Sequence, residues 1–147
     1  MINPKQLRDL ITRTLKEIPH GYSEDAVELL MMIAAHESKL GTYLRQVNGP
    51  ALGIFQMEPE THDDVWENGD SCEANAYLLS YNIECELLEC DIRYQIFMAR
   101  QKLFMISEPL PSSDHLNSMA DYCKKHWNTE LGKASACDYL HDYRYYC

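Results

Sequence analysis

The sequence predicts a mainly helical single domain with one small irregular lobe, and three observations carry this. Apolar residues recur with a period near 3.6 through most of the chain. The periodic stretches open on capping residues and close on glycine or proline. Glycine and proline instead crowd into one segment, Thr42 to Met57, where the period fails. The 147 residues are 46% hydrophobic and 24% charged. A chain of that size buries roughly 68–70% of its unfolded surface in one core. Residues 1–147 are therefore read as one domain.

Taken in order, Leu7, Leu10, Ile11, Leu15 and Ile18 share a face, opened by an Asn3 cap with Pro4 in the first turn and stopped at Pro19-His20-Gly21. Ser23 caps a second helix, with Glu24 and Asp25 against its dipole. Its stripe is Ala26, Leu29, Leu30, Ile33 and Ala34, the next position on it is Glu37, and Gly41 is the expected stop. The segment to Met57 reads as a loop or a short strand pair. A short helix follows from about Glu58 to Trp66, then a turn at Asn68-Gly69-Asp70. Helical patterning resumes over Tyr77 to Leu88 and Asp91 to Ile106, with a break near Cys90, and Pro109 and Pro111 end it. Ser113-Asp114 opens a helix to about His126, and a last one is expected over Lys133 to His141.

Charge excludes some partners. With 13 Lys+Arg against 23 Asp+Glu the net is -10, which repels a phosphate backbone, so no nucleic acid is expected. The longest apolar run, Leu29 to Ala35, falls far short of the roughly 20 residues that span a bilayer. The N-terminus, with charges throughout and no small-residue cleavage site, does not read as a signal peptide. The six cysteines are expected as reduced thiols serving as small hydrophobes, because a chain this long holds together without staples.

Glu37 stands out because it ends an apolar stripe among Leu30, Ile33, Ala34 and Leu40. A carboxyl in such a place prefers to stay neutral, and a raised pKa is what a general acid needs. Taken alone, a glutamate at a helix end more often turns out to water. The stretch His36-Glu37-Ser38-Lys39-Leu40-Gly41 is followed, however, by Gly49-Pro50-Ala51-Leu52-Gly53-Ile54-Phe55-Gln56-Met57-Glu58-Pro59-Glu60-Thr61. This resembles the lytic transglycosylase and goose-type lysozyme families, in which a Glu-Ser pair precedes Gly-Ala-x-Gly-Leu-Met-Gln-Ile-x-Pro-x-Thr. Gly49, Ala51, Gly53, Gln56, Met57, Pro59 and Thr61 fall close to that pattern. The resemblance implies a lysozyme-like helical domain with Glu37 as the catalytic acid. Gly53 would let the backbone approach a sugar, and Gln56 would offer a neutral donor and acceptor. Ser38 would hydrogen-bond a carboxylate or an acetamido group, or only cap its own helix.

Two downstream echoes extend the resemblance from Ser23 to Lys133. Asp91-Ile92-Arg93 through Ala99-Arg100 looks like the family helix that crosses beneath the site. Ala120 through Thr129, with Gly132-Lys133, resembles the family's Ala-Tyr-Asn-Ala-Gly motif, whose tyrosine touches the catalytic glutamate. Trp127 stands in the tyrosine's place, followed by Asn128, and an indole donates but does not accept. Tyr122 is the other candidate partner for Glu37.

A hydrolase needs two carboxylates across the scissile bond. No acid lies between Glu37 and Glu58, so the single-acid chemistry of a lytic transglycosylase is implied, with 1,6-anhydro products and no cofactor. Glu58, Asp63 and Asp64 are candidates for a second carboxylate that would give plain hydrolysis; otherwise they form a solvated helix face, as does His62. The substrate would be peptidoglycan, cut at the β-1,4 MurNAc–GlcNAc bond. A bare catalytic unit of this kind resembles a phage lysin held in the host cytoplasm or in a virion, where other virion proteins would be partners. The acidic charge suits a different class, a lysozyme-fold virion or binding component with little activity, and a chitin-cleaving enzyme is a third reading. Cys123, His126, Cys137 and His141 have the spacing C-x2-H-x10-C-x3-H. Spacing alone matches zinc sites falsely, so no metal is expected. The tyrosine-rich end, Tyr139 to Tyr146, is expected to cover the core or to stack on sugars or a partner.

Overall fold

The computed structural model describes residues 1–128 and 132–147, and its first helix begins where the sequence places it. Asn3 Oδ1 accepts the backbone N–H groups of Lys5 (3.0 Å) and Gln6 (3.2 Å), and Pro4 sits in the first turn of α1 (Pro4–Lys16). Leu7, Ile11 and Leu15 are buried along one face. Helix α2 (Glu24–Ser38) is capped by Ser23 Oγ, which accepts from Ala26 N at 3.0 Å. It departs from the expected one-sided stripe: Val27, Met31, Met32 and Ala35 are buried as well. Helix α2 is central, touching α1 and the helices of the second half of the chain. Burying a Leu, Ile or Met side chain contributes about 1.5–3 kcal/mol, so this helix anchors the core.

The stop comes earlier than Gly41. Lys39 and Leu40 (both φ 51°) and Gly41 (φ 79°) are left-handed in succession, and Leu40 N donates to Ala34 O at 3.0 Å. Glu37 is thereby held in the last turn. Segment 42–57 forms an irregular lobe with isolated antiparallel bridges, Arg45 to Leu52 and Leu52 to Met57, and no longer strand among the described residues. Ser38 Oγ donates to Ile54 O at 2.7 Å, tying the lobe to α2, and Gln95 Oε1 accepts from Ile54 N at 2.7 Å.

Helix α3 (Pro59–Asn68) starts at the expected Glu58-Pro59 and ends at Gly69. The expected helix over Tyr77 to Leu88 is absent. Instead α4 (Cys72–Leu78) stops early, residues 79–86 are irregular, and α5 (Leu87–Cys90) is one turn. Ser80 is left-handed (φ 62°), and of the apolar residues that give the helical spacing Tyr77, Leu78 and Ile83 are exposed while Leu79 and Leu88 are buried, so the stretch does not present one helical face to the core. Helix α6 (Ile92–Phe104) falls within the expected Asp91 to Ile106 and is capped by Asp91, with Oδ1 accepting from Tyr94 N at 2.9 Å.

His62, expected at the surface, is 0% exposed. Its Nε2 lies 2.7 Å from Tyr94 Oη, which also accepts from Trp66 Nε1 at 3.0 Å. The phenol oxygen thus bridges His62 and Trp66, and His62 Nδ1 lies 2.9 Å from Asp63 Oδ1. That cluster fastens α3 to α6. Helix α7 (Leu116–Tyr122) begins later than Ser113 and passes into a π-helical turn, Cys123–Asn128. The last helix, α8 (Ala136–Tyr146), also starts later and runs further than expected, with a Ser135–Asp138 capping box. No described helix is long and apolar enough to cross a membrane.

Gly53 is the tightest joint. At φ 79° an added Cβ would sit 2.2 Å from Leu88 O and 2.6 Å from Gln95 Oε1. Gly53→Ala is expected to lose about 2–4 kcal/mol of stability, combining backbone strain with overpacking. Urea denaturation measures this, and an unchanged midpoint would mean that the lobe shifts freely on α6.

Candidate active site

Three helices and the lobe bring the site together. Helix α2 presents His36 and Glu37 in its last turn, α6 presents Lys102 from its own last turn, and the π turn presents Trp127 and Asn128. The lobe adds Ala51, Gln56 and Met57, and Glu58 follows at the cap of α3. These residues line a cleft of about 630 Å³, with Thr61 and Lys133 also at its wall.

Glu37 is half-buried, and its Oε1 accepts a 2.5 Å hydrogen bond from the Tyr139 hydroxyl. Burial pushes its pKa above the ordinary glutamate value. The Tyr139 hydrogen bond, His36 and Lys102 pull the other way without cancelling it. Position reinforces this, since the carbonyl end of a helix opposes a carboxylate. Tyr139 is 0% exposed, and its own pKa is driven well up by burial and by Glu37, so it remains a donor. The Asn128 side chain also reaches the Tyr139 hydroxyl, while its Oδ1 accepts from Lys124 Nζ at 2.9 Å. His36 packs on the Tyr139 ring at 4.1 Å, with Nδ1 2.8 Å from Asp142 Oδ2.

Neither expected partner of Glu37 fills that role. The Trp127 indole N–H donates to Phe55 O at 3.2 Å, and Lys102 Nζ lies 3.9 Å from the centre of its ring. Tyr122 is turned away, with its hydroxyl toward Glu108 O (3.4 Å) and its ring against His126 (4.5 Å). The tyrosine that reaches the acid comes from α8, outside the stretch that carries the resemblance. Its signal in the sequence was the face shared by Tyr139, Tyr143 and Tyr146, which marks a packed helix without saying what it meets.

Ser38 does not face the cleft. It is fully buried, and its hydroxyl is engaged by Ile54 O, Ala34 O and Gly41 N. Gly53 approaches α5 and α6 and not an open surface. Gln56 lines the cleft in a left-handed conformation (φ 48°), with Nε2 donating to Gly53 O at 2.8 Å. Of the candidate second carboxylates, Glu58 lines the cleft. Asp63 pairs with His62, and Asp64 accepts from Asn68 Nδ2 at 2.6 Å on the exposed side of α3.

Lys102 was not singled out by the sequence, where it reads as an ordinary charge near a helix end. Here it is half-buried, and burial pushes its pKa down to about 8 against the upward pull of Glu37 and Glu58. The zinc-like spacing does not converge. Cys123 is buried, His126 meets Glu108 at 2.5 Å, and Cys137 and His141 are exposed. Among the described residues no group of three metal-binding side chains is assembled, and the six cysteines are unpaired. Thr129 of the downstream motif lies outside the described residues. Compared with known protein families, curated proteins and solved structures, the chain gives no match to any of them.

Two outcomes follow from these shifts. Because Glu37 holds its proton more tightly folded than unfolded, its stabilising share is present at low pH and is lost as pH rises through the ordinary glutamate range toward the folded value. Glu37→Gln is therefore expected to unfold at higher temperature than the wild type at neutral pH. The gap should close below about pH 4, where Glu37 of the wild type is protonated in the folded and the unfolded state alike. Tyr139→Phe removes a donor to the carboxylate, so the Glu37 midpoint should move further up in a carbon-detected NMR titration. A downward move would mean that the hydroxyl does not serve the charged form.

Proposed function

We propose that this protein is a peptidoglycan-degrading glycosidase that cuts the β-1,4 bond between N-acetylmuramic acid and N-acetylglucosamine, with Glu37 as general acid and then general base. The observation that carries this is a half-buried carboxyl with a raised pKa, bonded to Tyr139 and lining a cleft of about 630 Å³. A raised pKa favours the protonated form, which is the form an acid on a leaving oxygen must have. Glu37 gives its proton to the glycosidic oxygen as the C–O bond breaks. The carboxylate then takes the proton of the muramic C6 hydroxyl while that oxygen closes on C1. The product is a 1,6-anhydro sugar, no water is consumed, and Glu37 ends as it began. Tyr139 steadies the carboxylate between the two transfers.

This reading takes the helical domain as lysozyme-like and the protein as a phage lysin, acting from the host cytoplasm or carried in a virion. One observation favours a second reading: Glu58 lines the same cleft and is exposed, so it can hold a water for hydrolysis.

Digestion of purified peptidoglycan by wild type and Glu37→Gln, with fragments weighed by mass spectrometry, separates these. Fragments lighter by one water than hydrolytic muropeptides, absent with the variant, are expected. Ordinary reducing ends would move the assignment to a muramidase using Glu58. Intact walls after both proteins, across several wall types, would leave a binding or virion component.

A further inference from the structure

Lys102 is a charged side chain of the cleft whose chemistry the proposed reaction does not use. Among the described residues its ammonium donates no hydrogen bond and forms no ion pair; its close neighbour is the indole face of Trp127, 3.9 Å from the ring centre. An ammonium removed from water in this way is costly unless something pairs with it. The carboxylates of Glu37 and Glu58 act on it only at a distance. Glu37 is already engaged by Tyr139, and Glu58 points from an exposed cap. The other basic groups at the cleft are differently placed. His36 is held by Asp142, and Lys133 is exposed, where water and salt weaken its field.

We propose that Lys102 pairs with a carboxylate of the substrate, so that the cleft takes an acidic glycan in preference to a neutral one. This deepens the glycosidase reading and rests on it. An N-acetylglucosamine polymer has no carboxylate to offer. A muramic acid unit offers one, either on its lactyl group when peptide-free or on the stem peptide attached there. The cation–π contact holds the ammonium in place over Trp127 before any ligand arrives, so little side-chain entropy is lost on pairing. The pairing also bears on the acid. Lys102 pulls the Glu37 proton off, and an anion bound to Lys102 cancels that pull, so an acidic substrate leaves Glu37 better protonated for the first step.

The test uses glycans of equal length: chitotetraose, a peptide-free GlcNAc–MurNAc tetrasaccharide, and the same tetrasaccharide bearing stem peptides. Each is titrated by calorimetry at neutral pH into Glu37→Gln, which binds without cutting, and into that variant combined with Lys102→Gln, Lys102→Met or Lys102→Arg. A charge-assisted contact should make an acidic glycan bind about 10–100-fold more tightly than chitotetraose. Both neutral variants should remove that preference by weakening the acidic glycan alone, and arginine should keep it. A preference already present with the peptide-free glycan assigns the lactyl carboxylate; one confined to the peptide-bearing glycan assigns the stem. Equal binding of all three glycans, or a preference that survives both neutral variants, overturns the proposal. If the wild type still digests walls, the glycosidase reading stands without it. Absence of binding by every glycan, together with absence of digestion, overturns both.

Discussion

The carboxyl of Glu37 sits at the end of a helix that has almost no solvent side, and most of what surrounds the cleft follows from that placement. Helix α2 is buried at Ala26, Val27 and every residue from Leu29 to Ala35, so its last turn emerges among packed side chains. Desolvation raises the cost of charging Glu37 there, and the helix carbonyls add to it. A polar group in that setting needs a partner, and α8 supplies Tyr139. The same packing of α8 on α2 brings Asp142 to His36 and Tyr143 to Glu28. One helix–helix contact thus orients the acid, its donor and the neighbouring histidine together.

The lobe depends on the same helix end. Ser38, one residue after the acid, spends its hydroxyl on the backbone of Ile54 and on Gly41. Gly53 then brings the lobe backbone against α5 and α6, close enough that Gln95 caps Ile54 N. The Glu-Ser pair and the glycine motif are therefore linked physically, because the serine fixes the loop that the glycine lets dock. Their role is to hold Gln56, Met57 and the start of α3 at the cleft, and contact with a ligand falls to other residues.

Where the sequence was legible, the signal was local. The Asn3 and Ser23 caps, the Pro4 and Pro59 starts, the helix start near Asp91 and the position of Glu37 at the end of an apolar run all rest on neighbours within one turn. Where it was not, the deciding contact was distant. The stretch from Tyr77 to Leu88 has helical spacing, yet part of it faces solvent and residues 79–86 do not hold a helix. His62 looked like one of three polar surface residues, and Tyr94, 32 positions away, buries it. The partner of Glu37 was sought in Trp127 or Tyr122. The π turn aims Trp127 at Phe55, and the tyrosine that arrives comes from 102 positions away. Lys102 gave no warning, because a lysine near a helix end is ordinarily solvated.

The acidic balance of the chain and the proposed preference for an acidic glycan are compatible once their ranges are compared. A net charge of -10 acts over the surface, and salt screens it beyond roughly 8 Å. That field slows the approach of an anionic polymer and makes its arrival depend on ionic strength. Inside the cleft the deciding contact is at hydrogen-bond distance, and partial burial shields it from the same salt. The long-range term sets how often the glycan arrives, and the short-range term sets which glycan stays. Raising ionic strength should therefore help an acidic substrate more than a neutral one at the encounter step. A lysin that met the wall by attraction would show the opposite trend. On the proposed reading, selectivity resides in the desolvated Lys102 ammonium, while the net charge of the chain works against the charge it would recognise.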